Sequence, residues 1–524
     1  MARKTAKKKT MRKKATTRKK KTTHKKATTR KRKATRKKST TRKKKKTAAS
    51  GKRPAPKAPA RKTPSGGSGT TSSAGTPPAA GKTGLRIRMY RVGFGDFFLM
   101  SLPGPAGPLH VLIDCGVHAV NLGSIGDALD DMNTVTGGNL ALVIMTHRHA
   151  DHISGFASGA DIFKNFTVER VWMSWFENPN NPAAVRFQST LAAVATNLQA
   201  TLAPRTGADD QQYKYMVENI TGDAAAAPGA PTSNQAALNV LHGGFKSPQP
   251  PIDYYQAGDA AILPDSLTKA GLTAKILGPP IDPKLVAQMN GKGEQYLAAN
   301  DATGAPPARI AQIYQTTANA YPPEAFALLS PAEIASTVAA SLDQTDLMAA
   351  QASQADNTLN NQSLVILFSF GGKTLLFAGD AQWGNWQNFL YGGAVGSGTV
   401  ALDAEAEQIL GSIDFYKVGH HGSTNATPID ALKAMREDCI AMCSTQPGAY
   451  GKIANKSEVP RIPLVAAIDT KTANQLARTD MVNVDMNATL AAKIAKFEQQ
   501  NAPGDLPSIF QAGPNDKLYI DLDL

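Results

Sequence analysis

The sequence predicts an α/β body carried behind a long polycationic tail, and three observations predict it. From about residue 85 onward, short apolar runs alternate with Ala- and Gln-rich, helix-prone segments, the pattern of strands and helices sharing a core. Residues 1–62 hold 31 of the 59 Lys and Arg residues and none of the 41 acids. The remaining chain therefore has 28 bases against 41 acids, a net −13 that the overall +18 conceals. Between the two, "PSGGSGTTSSAGTPPAAGKTG" at 64–84 has the composition of a flexible linker. The expected organisation is a disordered tail over 1–63, a linker over 64–84 and one large domain over 85–524.

The tail repeats loosely: "ATTRKK" at 15–20, "ATTRKR" at 27–32, "ATRKK" at 34–38 and "TTRKKKK" at 40–46. Such a segment buries too little apolar surface to offset its chain entropy, and its charges repel one another. In the body, the strand-like runs are "LRIRMYRVG", "DFFLMSL", "LHVLIDCG", "LALVIMTH" and "VERVWMSW", then "LTAKILGPP", "SLVILFSF", "KTLLFAGD", "DFYKVGHHG" and "KLYIDLDL". Helix-prone segments fall near 183–203, 323–352, 400–411, 428–437 and 487–500. Two stretches, near 178–260 and 281–360, are rich in Ala, Pro, Gly and Asn and read as insertions over the core. Only three cysteines occur, and the Cys439–Cys443 pair lies in an apolar context that reads as buried thiols. No apolar run is long enough to span a bilayer, and the basic N-terminus lacks an apolar segment behind it. Both features, with so few cysteines, point to a cytoplasmic protein.

Chemistry concentrates in "VIMTHRHADHISG", residues 143–155, where His147, His149, Asp151 and His152 fall within six positions. "ALVIM" reads as a buried strand and "SGF" lies in the following helix, so the four groups sit at a strand-to-helix turn in front of a sheet edge. His147 and His149 point the same way if the loop is extended, because the side-chain period is two. Asp151 and His152 face a second nearby point. Two nitrogens for one cation, and a carboxylate with a nitrogen for another, suit a borderline-soft ion such as Zn²⁺.

Two adjacent cations repel unless an anion lies between them, and Asp380 at the end of "KTLLFAGD" supplies it; the local alternative is a helix N-cap. Among the other histidines, His420 and His421 follow the strand "DFYKV". If that stretch is extended they cannot both point inward, which favours His420 as ligand and His421 as a neighbour or substrate contact. His118 and His242 are outsiders. Asp114 in "LIDCG" reads as a hydrogen-bond support for the His loop, and Asp96 in "GFGDFFL" reads equally well as a turn residue. Ser423, Thr424 and Asn425 lie beside the site and could hold a substrate oxyanion. Locally, though, Thr427 and Pro428 read as N-cap and first residue of a helix.

With these residues together, the body resembles the metallo-β-lactamase fold hydrolases. "THRHADH" matches their His-x-His-x-Asp-His signature. "VGFGDFFL", "LIDCG", "NNQSLVILF", "LLFAGDA" and "KVGHHGS", in that order over residues 86–425, resemble more narrowly the nuclease-type domain of ComEC-type competence proteins. The resemblance implies a four-layer αββα sandwich with a two-metal centre between its sheets. It assigns His147 and His149 to one metal and Asp151 and His152 to the other. Asp380 bridges the two, and a histidine of the 420/421 pair completes the second site. One departure matters: where most of the superfamily has a further histidine, this chain reads "DNTLNNQSLVI", so Asn360 is the nearest stand-in. An amide oxygen is a weaker ligand for Zn²⁺, which leaves the first site loosely bound or suited to Mn²⁺; His242 and Glu177 are further candidates to compensate.

The implied mechanism needs no triad. A water shared by two divalent cations loses its proton near neutral pH and becomes the nucleophile, with Asp380 and Asp151 as the carboxylates at the reacting centre. The expected activity is that of a phosphodiesterase or nuclease. The tail, similar in composition to histone H1-like tails, would hold nucleic acid through Lys7, Lys8, Lys9, Arg12, Lys13, Lys14, Arg18, Lys19, Lys20, Arg30, Lys31, Arg32, Arg42, Lys43 and Lys44. Release of counterions drives such binding to DNA or RNA. Without aromatic residues the tail stacks on no base and reads no sequence. A nucleoid-associated location follows if the partner is DNA. Two other readings stand beside this one: hydrolysis of a small ester, lactone or thioester with the tail used for localisation, and a non-enzymatic nucleoid-associated protein.

Overall fold

The computed structural model describes residues 83–118, 123–189, 234–291, 295–296, 358–393, 401–447, 449, 458–481, 505–513 and 518–524. The chain divides into units 1–70 and 71–524. The basic tail, the linker up to residue 82, much of both stretches read as insertions, and the helix-prone segments 323–352 and 487–500 lie outside the described residues.

Fourteen strands occur among the described residues. The first seven are β1 (Arg86–Tyr90), β2 (Phe97–Gly104), β3 (Gly107–Cys115), β4 (Asn139–Ile144), β5 (Thr167–Ser174), β6 (Ile252–Tyr255) and β7 (Thr273–Gly278). They are followed by β8 (Val365–Phe370), β9 (Lys373–Phe377), β10 (Phe415–Lys417), β11 (Ile440–Cys443), β12 (Leu476–Arg478), β13 (Phe510–Ala512) and β14 (Tyr519–Asp523). They make an eight-stranded sheet, ordered β13-β14-β1-β2-β3-β4-β5-β6, and a six-stranded sheet, ordered β12-β11-β10-β9-β8-β7. Both sheets are mixed. β3 through β6 run parallel, as do β9 through β12, while the remaining neighbours are antiparallel.

The period of two decides where each side chain goes. Ile87, Met89, Phe98, Met100, Val111 and Ile113 of the first sheet share one apolar cluster with Ile366, Phe368, Leu375, Phe377, Phe415 and Met442 of the second. Their sequence neighbours point the other way. Leu99, Leu112 and Val143 pack with helices α1 (Ile125–Thr136), α2 (Ala150–Ser158) and α3 (Asn234–Gly243). Leu367, Leu376 and Tyr416 pack with α4 (Trp383–Tyr391), α5 (Ala404–Gly411), α6 (Ile429–Ala434) and α7 (Ile462–Lys471). Strands covered on both faces need near-continuous apolar sequence, which is why "ALVIM" and "LVILFSF" scarcely alternate.

Two differences from the sequence reading stand out, in the stretch near 178–260 and at Thr427, while the expected buried thiols are found. The stretch near 178–260 contributes β6, the edge strand of the eight-stranded sheet, and α3, so this part of it belongs to the core. Cys439 and Cys443 are buried free thiols, pushed up to about 11 and about 12 by burial, and Cys443 ends strand β11. Thr427 does not cap α6: its hydroxyl meets the Tyr416 hydroxyl at 2.8 Å, and Pro428 occupies the cap position.

Phe377 sits where the inter-sheet core meets the loop carrying Asp380, with Phe98, Phe368 and Phe415 around its ring. Phe377→Ala is expected to lower stability by about 3–5 kcal/mol, read from the urea midpoint of the full chain.

Candidate metal centre

The site is built at the carboxyl ends of the parallel strands of both sheets, where open α/β sheets place their ligands. In the first sheet the pairing of β2 with β3 slips by one residue, from Phe97↔Cys115 to Phe98↔Ile113. Asp114 is the extra residue, with φ 54°. This bulge re-aims its carboxylate along the sheet edge. There Oδ1 accepts the Thr146 amide at 2.8 Å and Oδ2 accepts the Thr146 hydroxyl at 2.7 Å. His152 Nδ1 lies 2.8 Å from the same Oδ2. The proton therefore sits on Nδ1, and Nε2 faces away from Asp114. Gly116 permits the approach, since a Cβ there would come within 2.3 Å of the His152 amide nitrogen.

β4 delivers the histidine loop. His149 is the N-cap of α2, which begins at Ala150, so Asp151 and His152 occupy the first turn. The His147 and His149 rings lie 4.6 Å apart, and His147 and His152 lie 4.2 Å apart, centroid to centroid. Between them Arg148 points away, donating two hydrogen bonds to Glu177 at 2.8 and 2.5 Å, while its carbonyl accepts Asn234 Nδ2 at 2.8 Å. Glu177 is thus a clamp on the loop rather than a cation ligand. His242 lies exposed in the last turn of α3.

The second sheet supplies the opposing groups. Gly379 (φ 51°) turns the chain after β9 where a side chain would strike Thr146 and Ser363. Asp380 follows, two residues before the N-cap Gln382 of α4, so it is not the helix cap. Its Oδ2 lies 3.1 Å from His152 Nε2 and 3.5 Å from His421 Nε2. His421 Nδ1 donates to the Ser444 carbonyl at 2.9 Å, which leaves Nε2 3.2 Å from Asp151 Oδ2. Ligand atoms of Asp151, His152, Asp380 and His421 all lie within 4.8 Å of one another.

His421 therefore takes the place expected for His420. The extended geometry behind that expectation does not occur: both residues adopt left-handed backbone, φ 45° and 50°, in a tight turn after β10. With no alternation, both rings reach the centre. The His420 side chain retains 21% of its exposure and its Nε2 stands 4.0 Å from Asp380 Oδ2, whereas His421 is sealed. Around His420 lie Asn360 Nδ2 at 3.5 Å and Asn425 Oδ1 at 3.2 Å, and the latter also accepts the Ser423 hydroxyl at 3.0 Å. Asn360 is buried, and its Oδ1 has no hydrogen-bond partner. His118 stands near this group, its ring 5.8 Å from that of Phe94, which in turn lies tilted against His421 at 4.3 Å.

Two residues carry more than the sequence reading gave them. Asp96 is no ordinary turn residue: it is buried, with carboxylate oxygens 3.5 Å from His421 Nδ1 and 3.7 Å from His152 Nδ1. Lys417, not singled out before, is buried and ion-paired to Asp96. The signal was available. In "DFYKV", Phe415 and Lys417 share a face, and the core burial of Phe415 aims Lys417 between the sheets.

Electrostatics separate two kinds of imidazole. Burial pushes His147 well down and His149 down to about 4, keeping both neutral, the form that binds a cation. Burial also opposes charge on His152, but the Asp380, Asp114 and Asp96 carboxylates outweigh it and raise His152 well above its usual range. For Asp380 the burial effect, which would raise it, is overcome by His152, His421 and His420, so it is held well below the carboxylate range.

The donor set fits divalent cations. His147 Nε2, Asp151 Oδ1, His152 Nε2 and His421 Nε2 are buried without a hydrogen-bond partner, although carboxylate oxygens lie near the last two. Buried polar atoms left this way ordinarily mark a missing ion or water. No family model matches the chain, and no curated protein shows significant similarity to it.

Two measurements probe this geometry. Asp114→Ala should weaken zinc binding about 10–100-fold by freeing His152 to rotate, read by competition with a chromophoric chelator. Mass spectrometry of metal content should show a metal equivalent lost in His421→Ala and retained in His420→Ala.

Proposed function

We propose that the chain is a metal-dependent hydrolase with the four-layer αββα sandwich of the metallo-β-lactamase fold, acting on phosphodiesters and held on nucleic acid by its basic tail. The observation that carries the reading is the convergence of Asp151, His152, Asp380 and His421 beside the His147–His149 pair, with the Nε2 atoms of His147, His152 and His421 buried and without a hydrogen-bond partner. The two mixed sheets sharing one apolar cluster, with helices against their other faces, support the fold. The order of motifs from "VGFGDFFL" to "KVGHHGS" supports the likeness to the ComEC-type nuclease domain.

In this reading His147 and His149, with Asn360 in place of a further histidine, would hold one divalent ion. Asp151, His152 and His421 would hold the other, with Asp380 available to both. Zn²⁺ suits the imidazole-rich set, with Mn²⁺ as the alternative where the amide takes part. When bound, such a pair polarises a phosphoryl oxygen and lowers the pKa of water to supply a nucleophile. The chain's own residues do the rest. Asp114 fixes the tautomer and rotation of His152, and the Ser444 carbonyl does the same for His421. His420, the one partly exposed imidazole of the set, lies with Ser423 and Asn425 where a substrate oxygen would enter. A second reading, hydrolysis of a small ester, lactone or thioester, is favoured by the −13 of the body, since a nuclease groove ordinarily carries positive charge.

The full chain loaded with Zn²⁺ or Mn²⁺ should hydrolyse bis(p-nitrophenyl) phosphate and single-stranded DNA. Asp380→Ala should lower kcat/KM by about a hundredfold or more. Turnover of lactones or thioesters alone would transfer the assignment to the second reading, and an inert, metal-free chain would end both. In gel shifts, binding should weaken with salt at a log–log slope of roughly −9 if about ten tail charges engage phosphates. Deletion of residues 1–63 should abolish the shift.

A further inference from the structure

Lys417 is 2% exposed, and a buried ammonium persists only where acceptors surround it. Its Nζ is ion-paired to Asp96, donates to the Gly379 carbonyl at 3.2 Å, and lies 3.8 Å from Asp380 Oδ1. The two oxygens of Asp380 are thereby divided. Oδ1 faces Lys417 and accepts the His420 amide at 3.1 Å, while Oδ2 faces the His152 and His421 rings. Asp96 precedes β2 in the first sheet and Lys417 ends β10 in the second, so this ion pair spans the two sheets beneath the ligand cluster. Four carboxylates, Asp96, Asp114, Asp151 and Asp380, are buried in this part of the fold, and Lys417 meets two of them, Asp96 and Asp380.

We infer that Lys417 is a positioning residue: beside the ring of His152, it is a fixed cation that helps hold Asp380 and Asp96 in the ligand-ready arrangement when no divalent ion is bound. This rests on the metal-centre reading proposed above. A bound divalent ion supplies the same countercharge, so loss of the ammonium harms the metal-free protein more than the metal-loaded one. A lysine serving only to fill space would affect both alike.

The test is thermal unfolding of the full chain in excess chelator and in zinc chloride, comparing the gap in Tm between the two. Lys417→Met should widen the gap by about 2 °C or more. Asp96→Asn, which removes one carboxylate, should narrow it. The double variant Asp96→Asn/Lys417→Met keeps the cluster's net charge and should return the gap to that of the unaltered chain. Equal Tm losses in both conditions for Lys417→Met, or a double variant no closer to the unaltered chain than Lys417→Met, would overturn the inference. If Lys417→Met folds only with zinc, the widening has reached its limit and the inference stands. If it folds in neither condition, Asp96→Asn decides, and an unchanged or wider gap counts against it. An unaltered chain whose Tm ignores zinc would remove the metal centre itself, and this role of Lys417 with it.

Discussion

The interaction on which the centre depends is the hold of the Asp114 carboxylate on Thr146 and His152. It joins the end of β3 to the loop after β4 and to the first turn of α2. Its cost is a non-glycine residue in left-handed backbone within a strand, a conformation that persists only where its surroundings over-determine it. Here the bulge and three hydrogen bonds do so. The ring of His152 is thereby fixed, and Asp380 and His421 meet it from the second sheet.

Much of the architecture was legible because sheets covered on both faces demand long apolar runs. β1 through β5, β7 through β10 and β14 each announce themselves in this way. β6, β11, β12 and β13 do not. They are three or four residues long, and "LAR" or "FQA" is extended because a neighbouring strand pairs with it, not through its own preference. β11 was read only as a thiol-bearing apolar stretch, since its run "IAMC" is too brief to separate strand from helix.

Within the site, the sequence located the histidine loop, Asp114 and Asp380 because each ends a recognisable strand. Its choice between His420 and His421 rested on an extended backbone, which the turn after β10 does not have. Two consecutive histidines at positive φ run against the usual preference of L-residues, and only the flanking Gly419 and Gly422 hinted at a turn. Glu177 and His242 had been held as compensating ligands on residue type alone. Their positions follow from the route of β5 and α3, which local sequence does not encode.

The pairing of β1 has a consequence for how the molecule is made. One neighbour, β2, follows at once, whereas the other, β14, places Asp521 opposite Arg88 across 433 positions. Contacts so distant along the chain are slow to form, because loop closure must precede any reward. During synthesis the helices and the parallel half of this sheet emerge long before β14, leaving one side of β1 as an open edge able to pair with the wrong partner. Nascent chains are therefore most exposed to misassembly in the interval before the closing strand leaves the ribosome.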